Sequence, residues 1–231
     1  MRFDFYIETK QDLIDAVQTF GFVPLFSNPI PGFSVEEHVA PQVWFNDDNE
    51  GVWEWKGPVI RESGCVYGKF FGHKAVFISK DWFDDFANYR RNGYDFDARY
   101  DDGLAAFRDK TLYDTLAANA PVLSKDLKRI GGYGKDGRQG FDTMINRLQA
   151  QCYVVIRDFV YETDRAGKPY GWGIAQYTTP EKEFGADFCD NVYQRMPEES
   201  YERIFVHLRE LLPHVDEKAI HRIMKRKNAE D

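Results

Sequence analysis

The chain has 231 residues, 43% of them hydrophobic and 16% aromatic, enough apolar material for a sizeable core in one large domain or two small ones. Thirty Lys and Arg against 38 Asp and Glu leave a net charge of -8, which counts against a DNA-binding reading because phosphate contact is mainly a cation's work. No apolar run nears the roughly 20 residues of a membrane helix, and Met1-Arg2-Phe3-Asp4-Phe5 is not a signal peptide, so a cytoplasmic protein without a membrane partner is expected.

A first helix is expected from about Lys10 to Phe20, with Leu13, Ile14, Val17 and Phe20 on one face and Gly21 closing it. Pro24, Pro29 and Pro31, with Asn28 and Gly32, then mark residues 25–33 as an irregular, surface-lying loop, and a turn is expected over 46–51. Val52-Trp53-Glu54-Trp55-Lys56 reads as a strand. Residues 65–71 and 74–79 read as a hairpin around Gly72-His73, so a small antiparallel sheet is expected. On a strand Glu54 and Lys56 would share a face. That is half of the signature with which one nuclease class holds a divalent cation, the carboxylate binding metal and the lysine steadying water. The other half, an aspartate on a preceding strand, is missing, since Asp47 and Asp48 sit in the turn; a solvated Glu-Lys pair is the plainer reading.

Residues 81–91 should form a helix with Ser79 or Asp81 as cap and Trp82, Phe83, Phe86 and Tyr89 inward. Cations, carboxylates and tyrosines interleave from Asn88 to Gly103. One reading is an anion or base pocket built from Arg90, Arg91 and Tyr94; the other, which the ease of forming surface pairs favours, is an inter-domain linker held by Arg-Asp pairs. Asp95, Asp97 and Asp101 do not have the spacing of a calcium loop.

From Leu112 to Thr178 the pattern is three helices and a β-hairpin, the order of a winged helix-turn-helix module. Leu112, Tyr113, Leu116 and Ala117 mark the first helix and Pro121 stops it. Ser124 is a candidate N-cap for a second helix that ends at Gly131-Gly132. The third is expected over 139–150, burying Phe141, Met144, Ile145 and Leu148 and turning Asp142, Thr143, Asn146, Arg147 and Gln149 outward. The period then changes: residues 152–161 read as a strand, Tyr170, Trp172 and Ile174 as its return, and residues 164–169 as a turn carrying Arg165 and Lys168. A helix fits the DNA major groove and a hairpin tip can reach a phosphate or the minor groove, which nominates Arg138, Gln139, Thr143, Asn146, Arg147, Arg165 and Lys168 for nucleic-acid contact. Between 105 and 180 eleven Lys and Arg face eight Asp and Glu, so the acidity lies in the flanks. Any soluble helix has a polar face, however, and such modules also bind proteins.

No clear period covers residues 184–197. The tail is helical: residues 198–212 carry Tyr201, Ile204, Phe205, Leu208, Leu211 and Leu212 at helical spacing, and Asp216 caps a last helix with Ala219, Ile220, Ile223 and Met224 inward. His207 and His214 read as packing or surface histidines, and Lys225-Arg226-Lys227 suits a helix C-terminus. Cys65, Cys152 and Cys189 have no metal spacing and read as reduced structural thiols; neither a metal nor another cofactor is expected.

Ser124-Lys125-Asp126-Leu127-Lys128, Gly140-Phe141 through Leu148-Gln149, and Tyr177-Thr178-Thr179-Pro180-Glu181 resemble the winged-helix segment of the AlkZ/YcaQ-type DNA glycosylases, which excise alkylated or crosslinked bases. With Trp53-Glu54-Trp55-Lys56, Tyr67-Gly68-Lys69-Phe70 and Tyr94-Asp95-Phe96-Asp97 added, the chain is similar to a shorter AlkZ-related group. The resemblance implies duplex or damaged DNA as partner and a Gln-x-Gln or Gln-x-Asp catalytic pair near the N-terminus. The one Gln-x-Gln here, Gln149-Ala150-Gln151, lies at a helix-to-strand junction instead. Glu54, Lys56, Gln149 and Gln151 are therefore weak catalytic candidates, and an enzyme is not the favoured reading.

The expectation is an α+β protein: an N-terminal α/β region with a small antiparallel sheet (1–104), a winged-helix module (105–181) and a C-terminal helical region (182–231). Its leading function is nucleic-acid binding linked to base-damage repair. The contrasting class is a protein-interaction or regulatory module, and a third is a DNA glycosylase or metal-dependent nuclease.

Overall fold

A computed structural model of the chain describes residues 2–45, 50–167 and 169–226; residues 46–49, where a turn is expected, Lys168 and Lys227 lie outside them. Helix α1 (Lys10–Phe20) begins at a capping box in which Thr9 Oγ1 accepts from the Asp12 amide at 3.3 Å and Asp12 Oδ2 accepts from the Thr9 amide at 2.8 Å. Gly21 ends it at φ 75°, a left-handed conformation that glycine adopts without steric cost. Strand β1 (Phe22–Pro24) follows. Residues 25–33 have no regular structure, as the prolines imply, but they are not a surface loop: Leu25, Ile30 and Phe33 are buried.

After α2 (Pro41–Trp44), the segment expected to be a strand is the start of helix α3 (Val52–Ser63). Its buried positions, Val52, Trp55, Lys56, Val59 and Ile60, follow i, i+3, i+4, i+7, i+8, a helical stripe whose first five residues also alternate. Glu54 caps the helix by accepting from the Gly51 amide at 3.0 Å. Gly57 is where α3 meets the later strand β5, since a Cβ there would stand 2.5 Å from Asp158 Oδ1.

The expected hairpin forms as β2 (Val66–Phe71) and β3 (Lys74–Ile78), followed by α4 (Lys80–Arg91); Ser79 holds the N-cap position of α4, but its side chain makes no capping hydrogen bond. Phe83, Phe86 and Tyr89 are buried on it, and Trp82 is half-buried. The Asn88 to Gly103 region contains a short helix, α5 (Phe96–Asp101), whose first turn is capped by Asp95 Oδ1 accepting from the Ala98 amide at 2.8 Å.

Then come α6 (Phe107–Asn119), β4 (Val122–Leu123), α7 (Ser124–Ile130), α8 (Phe141–Ala150), β5 (Val155–Thr163) and β6 (Pro169–Thr178). Ser124 is the first residue of α7 rather than its cap; Leu123 holds the cap position while pairing with Gln176 in β6. Cys152 sits at φ 62° and the new strand starts only at Val155. Residues 184–197, where no period was legible, contain most of α9 (Pro180–Asn191), and the break at Gly185 (φ 60°, ψ -140°) interrupts the repeat. Helices α10 (Pro197–Leu211) and α11 (Glu217–Met224) close the fold, Asp216 capping the latter as expected.

Among the described residues six strands form one sheet in the order β1-β3-β2-β5-β6-β4, each neighbouring pair antiparallel. Strands from either side of residue 104 meet where Tyr67 of β2 pairs with Ile156 of β5. The chain is thus a mixed α+β protein. Helix α4 packs on α10, tied by Asp85, whose carboxylate accepts from Ser200 Oγ at 2.7 Å and from Arg203 Nε at 2.8 Å. Among the described residues no helix is long and apolar enough to cross a membrane.

Arg91, at the end of α4, is 1% exposed. Its Nη2 donates to Cys152 O at 2.9 Å, its Nη1 to Glu181 Oε1 at 2.6 Å and to Tyr193 Oη at 3.0 Å, and its guanidinium lies 4.7 Å from the Tyr153 ring and 5.0 Å from that of Phe188. The partner of this arginine is a distant glutamate, not the aspartates that follow it in sequence. Removing this buried cation leaves the Cys152 carbonyl and the half-buried Glu181 carboxylate uncompensated. Arg91→Ala is expected to lower unfolding free energy by about 3 kcal/mol, read as an earlier urea midpoint with an unchanged m-value.

Candidate nucleic-acid interface

Helix α8 buries Phe141, Met144, Ile145 and Leu148 as its periodicity predicts, which leaves Asp142 and Thr143 exposed and Asn146 and Arg147 half-buried. Gln149, expected to face outward, is fully buried. Its Oε1 accepts from the Lys69 amide of β2 at 3.2 Å and its Nε2 donates to Ile145 O at 3.3 Å, so it fastens α8 to the sheet. Gln151 is buried too.

The loop before α8 is held from within. The Arg138 amide donates to Gly132 O at 2.8 Å, and Gln139 Nε2 donates to Gly134 O at 2.7 Å and to Gly137 O at 3.2 Å. Gly137 permits this approach, because a Cβ there would stand 2.3 Å from Gly132 O. Arg138 and Gln139 are thereby presented at an open pocket of about 440 Å³ that is also lined by Phe107, Arg108 and Tyr133. Arg108 and Arg138 are exposed, and neither has an ion pair among the described residues. The expected list lacked Phe107, Arg108 and Tyr133. Phe107, 71% exposed, stands off the Leu112 and Leu116 stripe, and that mismatch was the available signal.

The other cations of this surface are differently placed. Arg147 Nε lies 3.3 Å from Oδ2 of Asp109, a carboxylate only 3% exposed whose Oδ1 has no partner among the described residues. Burial raises the Asp109 pKa against the opposing pull of Arg147. Lys128 pairs with Asp142 at 3.2 Å, and Lys125 with Glu162 at 2.5 Å. Arg165 is exposed in the β5–β6 turn; Lys168 lies outside the described residues.

The remaining candidates do not converge there. Because Glu54 and Lys56 lie two apart on a helix, they point to opposite faces and make no shared metal face. Lys56 is buried, its Nζ 4.3 Å from the Trp53 ring and 4.4 Å from that of Phe159, and burial lowers its pKa to about 8. Among the described residues no three His, Cys, Asp or Glu side chains gather as a metal set. Arg90 donates to Phe70 O of β2 at 3.0 Å and to Ile223 O at 3.1 Å and Lys225 O at 2.9 Å, the last two being carbonyls at the end of α11. Tyr94 is half-buried, and its carbonyl accepts from Tyr153 Oη at 3.0 Å and Tyr193 Oη at 2.9 Å.

The model of the family described as AlkZ related matches residues 7–225. No curated protein and no solved structure matches the chain.

Arg147 and Arg138 are expected to differ in stability. Arg147→Ala strips a buried carboxylate of its counter-charge and is expected to cost on the order of 2 kcal/mol, whereas Arg138→Ala, at an exposed site, stays within about 0.5 kcal/mol of wild type. Urea titration of the two variants checks this.

Proposed function

The chain belongs to the AlkZ-related family across residues 7–225, and on that premise we propose that it binds nucleic acid in a role linked to DNA repair. In this reading α6, β4, α7, α8, β5 and β6 act as a winged helix, with α8 entering the major groove and the β5–β6 turn reaching the backbone. The observation that carries the proposal is the pair Arg108 and Arg138, exposed, without ion pairs among the described residues, and both lining the pocket at the start of α8. A phosphate is the common ligand for two such guanidiniums, and Tyr133 and Phe107 offer rings on which a base can stack. Thr143, Asn146 and Gln139 are the groups able to read base edges, and Arg165 is a phosphate contact from the hairpin.

One observation favours the protein-interaction reading. Arg147, Lys128 and Lys125, three cations of this surface, are already paired within the chain, which reduces the charge left for phosphates. A glycosylase reading requires catalytic groups at a lesion. Gln149 and Gln151, its Gln-x-Gln, are buried, and Gln149 holds backbone groups.

Duplex and single-stranded DNA titrated at about 50 and about 200 mM salt separate the first two readings, because each phosphate neutralised contributes about -0.9 to the slope of log K against log salt. Wild type is expected to lose affinity steeply, and the Arg108→Ala/Arg138→Ala double variant to bind more weakly with a slope shallower by about 2. Salt-independent binding, or a double variant that binds like wild type, contradicts the proposal.

A further inference from the structure

A second cleft, separate from the α8 pocket, opens between α3 and the outer half of the β5–β6 hairpin. Its volume is about 540 Å³, and Phe45, Tyr161, Tyr170 and Trp172 line it together with the carboxylates of Glu50 and Glu54. Trp172 is 68% exposed and Phe45 and Tyr170 are each 54% exposed, so three open aromatic rings line one cleft. These rings are not randomly scattered. Trp172 stands 6.0 Å from Phe45 at 31° and 5.6 Å from Trp53 at 74°, so the cleft presents both a ring face and a ring edge.

The charges of this cleft point one way. Arg61, the cation that lines it, is paired with Asp158. Neither Glu50 nor Glu54 has an ion pair among the described residues, and Glu54 keeps one oxygen committed to the Gly51 amide. Both carboxylates also act on Tyr161, whose pKa is raised first by burial and then by Glu54 and Glu50. One layer inward the protein has already solved the same problem with its own side chain. The Lys56 ammonium sits over the rings of Trp53 and Phe159 and has no ion pair among the described residues, although the Glu54 charge still acts on it. The outer cleft repeats that aromatic setting with two carboxylates added, and among the described residues its one lining cation, Arg61, is turned to Asp158.

We propose that this cleft binds a small quaternary ammonium compound, its methyl groups against Trp172, Tyr170 and Phe45 and its charge facing Glu50 and Glu54. A cation whose charge is spread over methyl groups is weakly hydrated, so it loses little on leaving water and gains from each ring face. A divalent metal ion does not suit the site, since two carboxylates among aromatic rings fall short of the six or more oxygens a calcium ion takes. An anionic backbone is repelled by the same two groups, so the cleft is a site in addition to the phosphate-facing surface and does not rest on that reading.

The test uses the full chain and choline, with 3,3-dimethyl-1-butanol as the neutral analogue of the same shape. Tryptophan fluorescence and the indole N–H signals of Trp172 report occupancy. Choline is expected to give a saturable change, with the neutral analogue binding about tenfold or more weakly. Trp172→Ala and the double variant Glu50→Gln/Glu54→Gln are each expected to weaken choline binding by about tenfold. Glutamine at 54 still accepts from the Gly51 amide, so α3 keeps its cap, and an unchanged urea midpoint verifies it. Equal binding of the neutral analogue, no saturable response to choline, or unaltered affinity in both variants overturns the proposal.

Discussion

The Arg91 guanidinium is the charge around which the halves of this chain are arranged. It leaves the end of α4, in the N-terminal part of the sequence, and ends among Cys152 O, Glu181 and Tyr193, which belong to the junction before β5, to α9 and to the segment after it. Burying a cation is costly, and the cost falls when its donors are used and its charge is opposed. Here a carboxylate and two ring faces do that together. The same junction is held nearby by the β2–β5 pairing and by Gln149, which accepts from the backbone of β2. As a result α8 does not hang from a linker; the sheet fixes its orientation, and with it the face that carries Thr143 and the pocket beside Arg138.

Charge distribution follows from this arrangement. A chain of net charge -8 can approach a polyanion only through a surface from which its carboxylates are held away or neutralised. Around α8 several cations are spent on internal partners, as Arg147 is on Asp109, while Arg108 and Arg138 remain open. The hairpin divides in a similar way. Its turn carries Arg165, and its flank carries the aromatic cleft with Glu50 and Glu54, so two faces of opposite character lie on one ribbon.

Much of the fold was legible in the sequence wherever a long stripe or a specific cap was present. The α1 stripe with Gly21, the hairpin around Gly72-His73, the buried face of α8 and the Asp216 cap all stand as their patterns predicted. Failures came where two periods fit the same few residues. Val52 to Lys56 alternates like a strand, and only Val59 and Ile60 beyond it reveal the helix. The kink at Gly185 hid α9 for a related reason, since it shifts the phase of the repeat halfway. Burial of polar groups was the least readable property. Gln149 and Arg91 look like surface residues by type, and what buries them is a set of backbone carbonyls and amides that arrive from far along the chain. The candidate site was legible in part: Arg138, Gln139 and Thr143 are exposed near one another, whereas Arg108 and Tyr133 come from elements whose meeting only the tertiary structure reveals.

The claim on which the account turns is that the start of α8 and the pocket beside it touch nucleic acid. Backbone amide shifts of the ¹⁵N-labelled chain, followed during titration with a short DNA duplex at low salt, test it most directly. Shifts concentrated at Arg108, Tyr133, Arg138, Gln139, Thr143 and Arg165, and reversed by added salt, are the result the account expects. Shifts gathered elsewhere, or an unperturbed spectrum at saturating duplex, contradict it.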